Sequence, residues 1–393
     1  MVERLPAAEW THREDLSALV DALDPQAQGH CRWVGGVVRD TILGIAAKDI
    51  DMATTLLPDE VVARLGGAGI KTVPTGIAHG TVTAVVSGGP VEITTLRRDV
   101  STDGRHATVA FSTDWADDAA RRDFTINALY ADPRTLEVYD YHTGLGDLAT
   151  RHLRFIGDAR ARIREDYLRI LRYFRFQARF GSVPADAEAE SAVAELAPGL
   201  KGLSRERVGW ELIALLGLPD PAPTVTRMAE LGVLAQVLPE VTTSGLEALA
   251  ALTAHERNLG VKGTALRRLA ALLPADPAMA EQVAPRLRLS IAQRKRLAAA
   301  AARDGHCNNP RALAYRIGIA EALDRLLLAG ASIKALQDWD IPALPLKGGQ
   351  IVARGISAGP EVARLLRAVE ARWISEGFPD EARVMQMLDE ELG

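Results

Sequence analysis

The sequence predicts an α+β domain followed by a long all-helical remainder, and three observations carry this prediction. Residues 31–95 run in the order strand, helix, strand, helix, strand, strand, strand, which is typical of an α+β domain. The last three runs alternate in polarity between glycines and favour a mixed, largely antiparallel sheet with flanking helices. From about residue 220 the chain is rich in alanine and leucine, with breaks at proline or glycine, as in consecutive helices.

Length and composition limit the class of protein. A chain of 393 residues exceeds one compact domain, and 48% hydrophobic and 25% charged residues indicate a globular protein. No apolar run of about 18 residues is present, so no membrane contact is expected, and the N-terminus lacks a leader pattern, which favours the cytoplasm. The net charge of −5 means that any nucleic-acid binding needs local basic patches. Cys31 and Cys307 are expected to be buried thiols.

Residues 31–54 hold the densest group of candidate functional residues. Asp49 and Asp51 are two positions apart on a predicted strand that spans 49–53, so their carboxylates share a face. Two like charges this close are costly unless a cation lies between them, and hard divalent cations prefer carboxylate oxygens. Gly35 and Gly36 precede a predicted helix, whose N-terminus favours a phosphate. The stretch predicts a site for a nucleoside triphosphate and a metal; the alternative is a plain turn with solvated charges.

Glu92 and the segment that follows it have open interpretations. Glu92 lies in the last predicted strand of the sheet. It either faces the two aspartates, where it would hold metal or accept a proton, or lies on the strand surface. Residues 97–120 are polar and predict a long loop, which inside a compact domain is usually functional or mobile.

Residues 121–130 begin with charged side chains and continue as an apolar helix pattern. Arg121, Arg122 and Asp123 stand at its start, and Asn127 follows Asp123 by one turn on the same face. Asp123 is a candidate to cap the helix or to accept a hydrogen bond from a ribose hydroxyl. The alternative is a solvated helix start.

Residues 151–180 contain nine arginines and three carboxylates. Apolar residues at helical spacing give this segment one buried stripe. A row at steps of three consists of Asp166, Arg169, Arg172 and Arg175. A solvated helix face would normally balance its charges, so the excess predicts an anion that the segment does not itself contain.

Six motifs together resemble those of the class II CCA-adding tRNA nucleotidyltransferases and the bacterial poly(A) polymerases. They are GGVVRD, DIDMAT, RRDFTINAL, DYHTGLGDL, EDYLR and LSRERVGWEL. The resemblance covers residues 31–212 strongly and 286–366 loosely. It implies a catalytic nucleotidyltransferase head at 1–135, a nucleotide-selecting neck at 136–218, a helical RNA-binding body at 219–300 and a helical RNA-binding tail at 301–393.

The resemblance also implies a reaction and its residues. The expected reaction adds C, C and A to the tRNA 3′ end from CTP and ATP, without a nucleic-acid template, and releases pyrophosphate. Asp49 and Asp51 would bind two Mg²⁺ ions, with Glu92 as the candidate third catalytic carboxylate. The implied nucleotide-binding residues are Gly35, Gly36 and Arg39 for the phosphates, Arg121, Arg122, Asp123 and Asn127 in the ribose motif, Glu165, Asp166 and Arg169 in the base template, and Arg172 and Arg175 for the triphosphate.

In this template, Asp166 and Arg169 hydrogen-bond the edge of the incoming base. A carboxylate accepts from the exocyclic amine that cytosine and adenine share, and arginine donates to ring acceptors. Uracil presents a carbonyl instead, which leaves Asp166 facing another acceptor at a cost of about 1–3 kcal/mol. The alternative is a simple ion pair between Asp166 and Arg169.

Several functions remain open within and outside the family. CCA addition is favoured because the loop at 97–120 is full and no long basic tail extends the chain. A poly(A) polymerase, a CC-only or A-only enzyme and a non-catalytic RNA-binding protein are the alternatives. The basic segment 286–297 and Lys347, before two glycines, are candidates to contact RNA or phosphate, or are solvated charges. No protein partner is evident.

Overall fold

The computed structural model describes residues 4–103, 106–303 and 308–392. The chain divides into two compact units. They are Met1–Leu212 with Thr224–Pro239, and Ile213–Pro223 with Glu240–Gly393. The finer division into head, neck, body and tail stays a prediction.

A seven-stranded mixed sheet forms the centre of the first unit. The strands are β1 (Cys31–Val34), β2 (Ile50–Thr54), β3 (Lys71–Gly76), β4 (Thr81–Val86), β5 (Gly89–Thr95), β6 (Arg97–Asp103), β7 (His106–Phe111), β8 (Leu129–Ala131) and β9 (Val138–Asp140). The order in the large sheet is β3-β4-β5-β2-β1-β8-β9, and β6 and β7 form a separate two-stranded sheet. Only the β2–β5 pair of these sheets is parallel. The predicted largely antiparallel sheet is confirmed.

Helices flank this sheet and make up the described part of the second unit. Those up to residue 237 are α1 (Glu14–Leu23), α2 (Gly36–Ile42), α3 (Pro58–Gly67), α4 (Trp115–Ala120), α5 (Gly144–Thr150), α6 (Ala159–Glu165), α7 (Leu168–Phe180), α8 (Ala187–Leu196), α9 (Arg205–Leu216), α10 (Ala222–Glu230) and α11 (Leu234–Val237). Those that follow are α12 (Thr243–Asn258), α13 (Ala265–Leu272), α14 (Pro277–Arg286), α15 (Ile291–Ala301), α16 (Pro310–Ile317), α17 (Ile319–Leu328), α18 (Gly348–Val352), α19 (Pro360–Ser375) and α20 (Glu381–Leu392). The predicted helical remainder is confirmed.

The middle of the sheet is apolar on both faces. Strand β2 is buried at every position except Asp51, because helices cover the sheet and leave this end of the strand open. Cys31 is buried, as predicted, and burial raises the pKa of its thiol to about 12. Cys307 lies outside the described residues.

For two segments of the first unit, the secondary structure predicted from the sequence is wrong. The described residues within 97–120 form the paired strands β6 and β7 and the helix α4 instead of a loop, and the pairing of the two strands satisfies backbone groups that a loop would leave to water. Residues 121–130 form a single 3₁₀ turn, Thr125–Asn127, and then β8 instead of a helix. Pairing of β8 with both β1 and β9 overrides the helical spacing.

The outermost strand of the sheet lies beyond the predicted head boundary. Strand β9 begins at Val138, past residue 135, because it returns antiparallel beside β8. No helix in the described ranges is long and apolar enough to span a bilayer.

Candidate active site

Three carboxylates lie near enough to influence one another electrostatically at one end of strands β2 and β5. Asp51 is the second residue of β2, and the parallel register sets Glu92 of β5 directly beside it. Neighbouring residues in register point to the same face of a sheet, so Glu92 lies next to Asp51 and not on the opposite face. Asp49 precedes β2 by one residue and is exposed. The strand therefore starts one residue later than predicted.

The charges at this end of the sheet repel one another. The pKa of Asp51 is raised to about 6, first by burial and then by the charges of Glu92 and Asp49, while Arg122 opposes the rise. A divalent cation would remove this repulsion, because its own charge outweighs the other local terms. The carboxylate oxygens are also the donors that Mg²⁺ prefers.

The protein offers only part of a metal's coordination shell. Across residues 4–103, 106–303 and 308–392, no group of three or more His, Cys, Asp or Glu side chains is arranged to hold a metal ion. Mg²⁺ is usually bound through one or two carboxylates plus substrate phosphates. The pair Asp49 and Asp51 fits that pattern, and its role as a metal site stays a prediction.

The glycine pair between β1 and α2 contributes a backbone conformation. Gly35 has φ +69° and ψ −119°, a region that side chains rarely adopt. Its N–H donates to the carbonyl of Leu129 at 3.0 Å, so this donor is already used inside the protein. A Cβ on Gly35 would lie 3.4 Å from the Nη1 atom of Arg122. That distance is an ordinary van der Waals contact, so the requirement for glycine comes from the backbone conformation, and phosphate contacts from the backbone would start at Gly36.

Arg39 is held inside the protein. Its guanidinium donates to Asp40 at 2.7 Å and to the side-chain oxygen of Asn127, and it stacks on the Phe180 ring at 4.2 Å. Arg39 is only 5% exposed. The structure thus gives Arg39 a role in joining α2 to the turn that carries Asn127, and its predicted phosphate contact stays a prediction.

One buried carboxylate holds both arginines of the ribose motif. Asp118 of α4 accepts from Arg121 at 2.8 Å and from Arg122 at 3.0 Å. It also accepts from the Tyr130 hydroxyl at 2.8 Å, and Arg122 donates to that hydroxyl at 3.0 Å. These contacts point Arg122 toward the carboxylates, where it affects the pKa of Asp51.

Asp123 ties the 3₁₀ turn to helix α7. Its Oδ1 accepts from the backbone N–H of Phe124 and from the Asn127 side chain, both at 2.9 Å. Its Oδ2 accepts from the Nε and Nη2 atoms of Arg172 at 2.8 and 2.6 Å. The predicted helix cap is wrong, because the turn has Phe124 at its N-cap position and no side-chain cap, and the carboxylate is instead paired with one of the arginines assigned to the triphosphate.

The base template lies at a break between two helices. Asp166 is extended, with φ −153° and ψ 104°, between the end of α6 and the start of α7. Asp166 and Arg169 do not form the alternative ion pair: Asp166 accepts from Arg207 at 2.6 Å, and Arg169 pairs with Glu165. Arg169 also donates to the carbonyl of Arg121 at 3.2 Å, which joins the template to the ribose motif.

Carboxylates from outside the arginine-rich segment balance its charge. Arg175 donates to Glu211 of α9 at 2.6 Å, and Arg179 to Asp40 at 3.1 Å. Arg172 lies 3.5 Å from Glu211 as well as on Asp123. The anions predicted from the charge excess are thus protein carboxylates in this structure, and the triphosphate contacts of Arg172 and Arg175 stay predictions.

The sequence reasoning missed four residues that organise the site. They are Asp40, Asp118, Arg207 and Glu211. Asp118 had a readable signal, since it precedes Arg121 and Arg122 by three and four residues, the spacing of ion pairs on a helix. Arg207 and Glu211 lie in the LSRERVGWEL motif, but their pairing could not be predicted from it, because their partners are 41 and 36 residues away in the chain.

The basic segment of the second unit is partly neutralised. Arg286 donates to Glu240 at 2.6 Å, and Arg296 donates to Asp324 at 2.6 Å. These arginines hold helices together, which weakens the interpretation of residues 286–297 as a continuous RNA-binding track.

The fold defined by this mixed sheet and its helices is that of known nucleotidyltransferases. The structure of the CCA-adding enzyme of Bacillus stearothermophilus in complex with CTP superposes with a TM-score of 0.77, covers 98% of both chains and is 25% identical. The Thermotoga maritima CCA-adding enzyme complexed with tRNA has a TM-score of 0.71 at 23% identity, covers 96% of this chain and 95% of its own, and shares the fold.

Sequence comparisons agree with the fold. The family "Poly A polymerase head domain" matches residues 31–154, and the family "Probable RNA and SrmB- binding site of polymerase A" matches residues 186–244. The CCA tRNA nucleotidyltransferase 1 of mouse mitochondria is 35% identical over 95% of this chain and 89% of its own length. The CCA-adding enzyme of Geobacillus thermodenitrificans is 38% identical over 54% of this chain and 52% of its own. The chain belongs to the family of CCA-adding tRNA nucleotidyltransferases and poly(A) polymerases, which confirms the resemblance noted in its motifs.

Proposed function

We propose that this protein is a CCA tRNA nucleotidyltransferase, which adds C, C and A to the 3′ end of tRNA from CTP and ATP. The observation that carries the proposal is the proximity of these groups within the first unit. Arg122 lies near enough to Asp51 for its charge to lower the pKa of that carboxyl, and the carbonyl of the adjacent Arg121 accepts a hydrogen bond from Arg169 of the base template. We therefore propose that the carboxylates and the base-selecting side chains act in one site. The names of the mouse and Geobacillus relatives support the same activity.

The reaction needs few groups from the protein. The 3′ oxygen of the RNA forms a bond to the α-phosphorus of the nucleotide, the bond to the bridging oxygen breaks, and pyrophosphate leaves with that electron pair. The hydroxyl proton passes to a base, for which Glu92 is the candidate because it lies beside Asp51. Membership of the family implies a divalent metal, and we propose Mg²⁺ at Asp49 and Asp51. When bound, the metal lowers the pKa of the attacking hydroxyl and neutralises charge on the triphosphate.

The base is selected by side chains in the absence of a nucleic-acid template. We propose that Asp166 accepts from the amine common to cytosine and adenine, while Arg169 donates to ring acceptors. The pairing of Arg169 with Glu165 fixes the guanidinium in place. The position of Asp166 outside both helices supports this role, because its side chain is not constrained to a helical surface.

The compartment of the protein belongs to the proposal as well. The cytoplasm is the expected compartment, whereas the mouse and human relatives carry the names of mitochondrial enzymes. Both assignments are compatible with the same reaction on tRNA.

Nucleotide addition tests the function. Purified protein is incubated with tRNA lacking CCA and with Mg²⁺, and receives CTP alone, ATP alone, or both. We expect two additions with CTP, and a third, terminal A only when both nucleotides are present. Long tails from ATP on unrelated RNA would instead identify a poly(A) polymerase. A product that stops after CC, or one that requires a substrate already ending in CC, would identify the partial enzymes.

A variant of Asp51 separates catalysis from RNA binding. Asp51→Asn keeps the shape and removes the charge, so we expect kcat for CTP addition to fall about a hundredfold or more, while tRNA affinity is retained. Asp59→Asn, in an exposed aspartate at the start of α3, is the control and should behave as the wild type. Wild-type protein that binds tRNA without Mg²⁺-dependent incorporation would support the non-catalytic alternative.

A further inference from the structure

We propose that Arg207 is a positioning residue that fixes the carboxylate of Asp166 and thereby sets which bases the site accepts. The proposal rests on the proposed function, because it concerns the base template of that reaction. Arg207 lies on α9, and its Nη2 atom donates to Oδ2 of Asp166 at 2.6 Å. Arg207 lies in the LSRERVGWEL motif, but it is not among the residues that the sequence predicts to bind the nucleotide.

The two oxygens of Asp166 accept hydrogen bonds from two different helices. Oδ1 accepts from the backbone N–H of Leu168 at 3.1 Å, which is the first residue of α7. Oδ2 accepts from Arg207, which comes from a helix distant in the chain. An ionised carboxylate has about four lone-pair sites. These two donors therefore fix its plane and leave other lone pairs free to accept from a base.

Arg169 has a different set of anchors. It donates to the carbonyl of Arg162 at 2.7 Å, to the carbonyl of Arg121 at 3.2 Å and to Glu165. The donor half of the template is thus held by α6 and the ribose motif, and the acceptor half by α9. Loss of Arg207 should disturb Asp166 and leave Arg169 in place.

The ion pair between Arg207 and Asp166 contributes little to the stability of the folded protein. The side chains are 48% and 32% exposed, and ion pairs at such exposure contribute little to folding. Because the pair lies at the base template, it affects the discrimination between bases. A fixed carboxylate leaves a uracil carbonyl facing an oxygen, whereas a carboxylate free to rotate can move aside or admit a bridging water. Fixing Asp166 therefore raises the penalty for uracil without requiring a contact between Arg207 and the nucleotide.

The experiment compares CTP and UTP as single substrates. The full-length protein is given tRNA lacking CCA, and kcat/KM for the first addition is measured with each nucleotide. We expect Arg207→Ala to lower the CTP-to-UTP ratio about tenfold or more, since a site that pairs with a substrate group rejects its analogue through that pairing. Arg207→Lys should give an intermediate ratio, because lysine keeps the charge and loses the planar fork.

Arg227 offers a matched control. Its side chain is 45% exposed and pairs with Glu190 at 2.7 Å, so Arg227→Ala also removes an exposed arginine from an ion pair. We expect the wild-type ratio for this variant. Thermal unfolding of each variant checks the fold, and Arg207→Lys provides the measurement if Arg207→Ala does not fold.

A double-mutant cycle tests whether Arg207 acts through Asp166. In an Asp166→Ala background, Arg207→Ala should leave the CTP-to-UTP ratio unchanged. The inference is overturned if Arg207→Ala keeps the wild-type ratio, which includes an equal loss of kcat/KM for both nucleotides. It is also overturned if Arg207→Ala changes the ratio by the same factor in the Asp166→Ala background. If the wild-type protein adds CTP and the variants give any of these results, only the inference fails. If the wild-type protein adds no CTP, the proposed function and the inference fail together.

Discussion

At the scale of single residues, the site depends on carboxylates that keep arginines in place. Asp118 is 1% exposed and accepts from two arginines and a tyrosine. A buried charge of this kind is tolerated because it is paired and fully hydrogen-bonded. Its partners include Arg122, which approaches Gly35 and Asp51. Asp118 therefore sets the geometry of groups that would meet the nucleotide without meeting it itself.

Asp118→Asn should lower the catalytic efficiency of the protein with CTP. The amide cannot accept from both arginines as a carboxylate does, so we expect kcat/KM for CTP to fall about tenfold to a hundredfold, the range for hydrogen bonds to charged groups. Steady-state kinetics with tRNA lacking CCA measure it. Asp117→Asn removes the neighbouring carboxylate of α4, which accepts from Ser112 at 3.1 Å, and should change kcat/KM less than about twofold. Equal effects of the two substitutions would contradict the role of Asp118.

Gly35→Ala tests the backbone requirement beside the site. Alanine is strained at φ +69° and ψ −119°, so we expect a loss of about 1–3 kcal/mol in the free energy of unfolding. The new Cβ makes an ordinary van der Waals contact with Arg122 at 3.4 Å, but relief of the backbone strain would move this turn beside Arg122, so activity should fall as well. Gly44→Ala is the control, because Gly44 has φ +67° with no atom within 4 Å of its Cβ position. Gly44→Ala should lower the free energy of unfolding and leave kcat unchanged. Loss of kcat in both variants would refute the role of Arg122.

At the scale of elements, the 3₁₀ turn and α7 are joined by the pair of Asp123 with Arg172. Burial alone would raise the pKa of Asp123, but Arg172 and the hydrogen bonds from Asn127 and Phe124 lower it below its usual value. A carboxyl group with a lowered pKa in the folded state stabilises the protein above its unfolded pKa. That contribution is lost as the pH falls through the folded pKa.

Acid should therefore destabilise the wild type more than a variant without this carboxylate. We expect the unfolding free energy of the wild type to decrease as the pH falls below about 4, and that of Asp123→Asn to decrease less steeply over the same interval. Urea unfolding at a series of pH values from neutral to acidic measures both curves. Parallel curves would show that the pair does not contribute to the pH dependence.

At the scale of the whole molecule, the second unit is stabilised by a buried network of charges. Glu256 of α12 accepts from Arg267 at 2.6 Å and from Arg268 at 2.9 Å. Arg267 also pairs with Asp324 of α17 at 2.8 Å. Glu256, Arg267, Arg268 and Asp324 are each at most 4% exposed. Removal of Glu256 leaves Arg268 buried without the carboxylate that it pairs with here, and leaves Arg267 with Asp324 alone.

Glu256→Gln should thus be strongly destabilising. We expect a loss of about 3–5 kcal/mol, the usual cost of breaking a buried ion pair from one side. Asp220→Asn is the control, because Asp220 pairs with Arg257 at 2.9 Å with side chains 45% and 64% exposed, and should cost at most about 1 kcal/mol. Calorimetric unfolding compares the two variants. Similar losses would show that the network is no more important than a surface pair.

Much of the fold could be predicted from the sequence, and the incorrect predictions share a physical cause. The order of strands and helices through residue 95 followed from periodicity and glycine positions. The segments 97–120 and 121–130 were misjudged, because strand pairing with distant partners overrode local spacing. The break at Asp166 was also hidden, since the residues on both sides follow one helical period.

The sequence by itself determined which local groups are brought together for the predicted chemistry of this protein. Asp49, Asp51, the glycine pair and the EDYLR template are each defined by spacings of a few residues, and such spacings fix which groups share a strand, turn or helix start. Only the tertiary structure decided that Glu92 stands beside Asp51 and that the arginines of α7 are paired with Asp123 and Glu211. Those partners lie tens of residues apart, and their meeting depends on the packing of whole elements, which no local pattern of residues encodes.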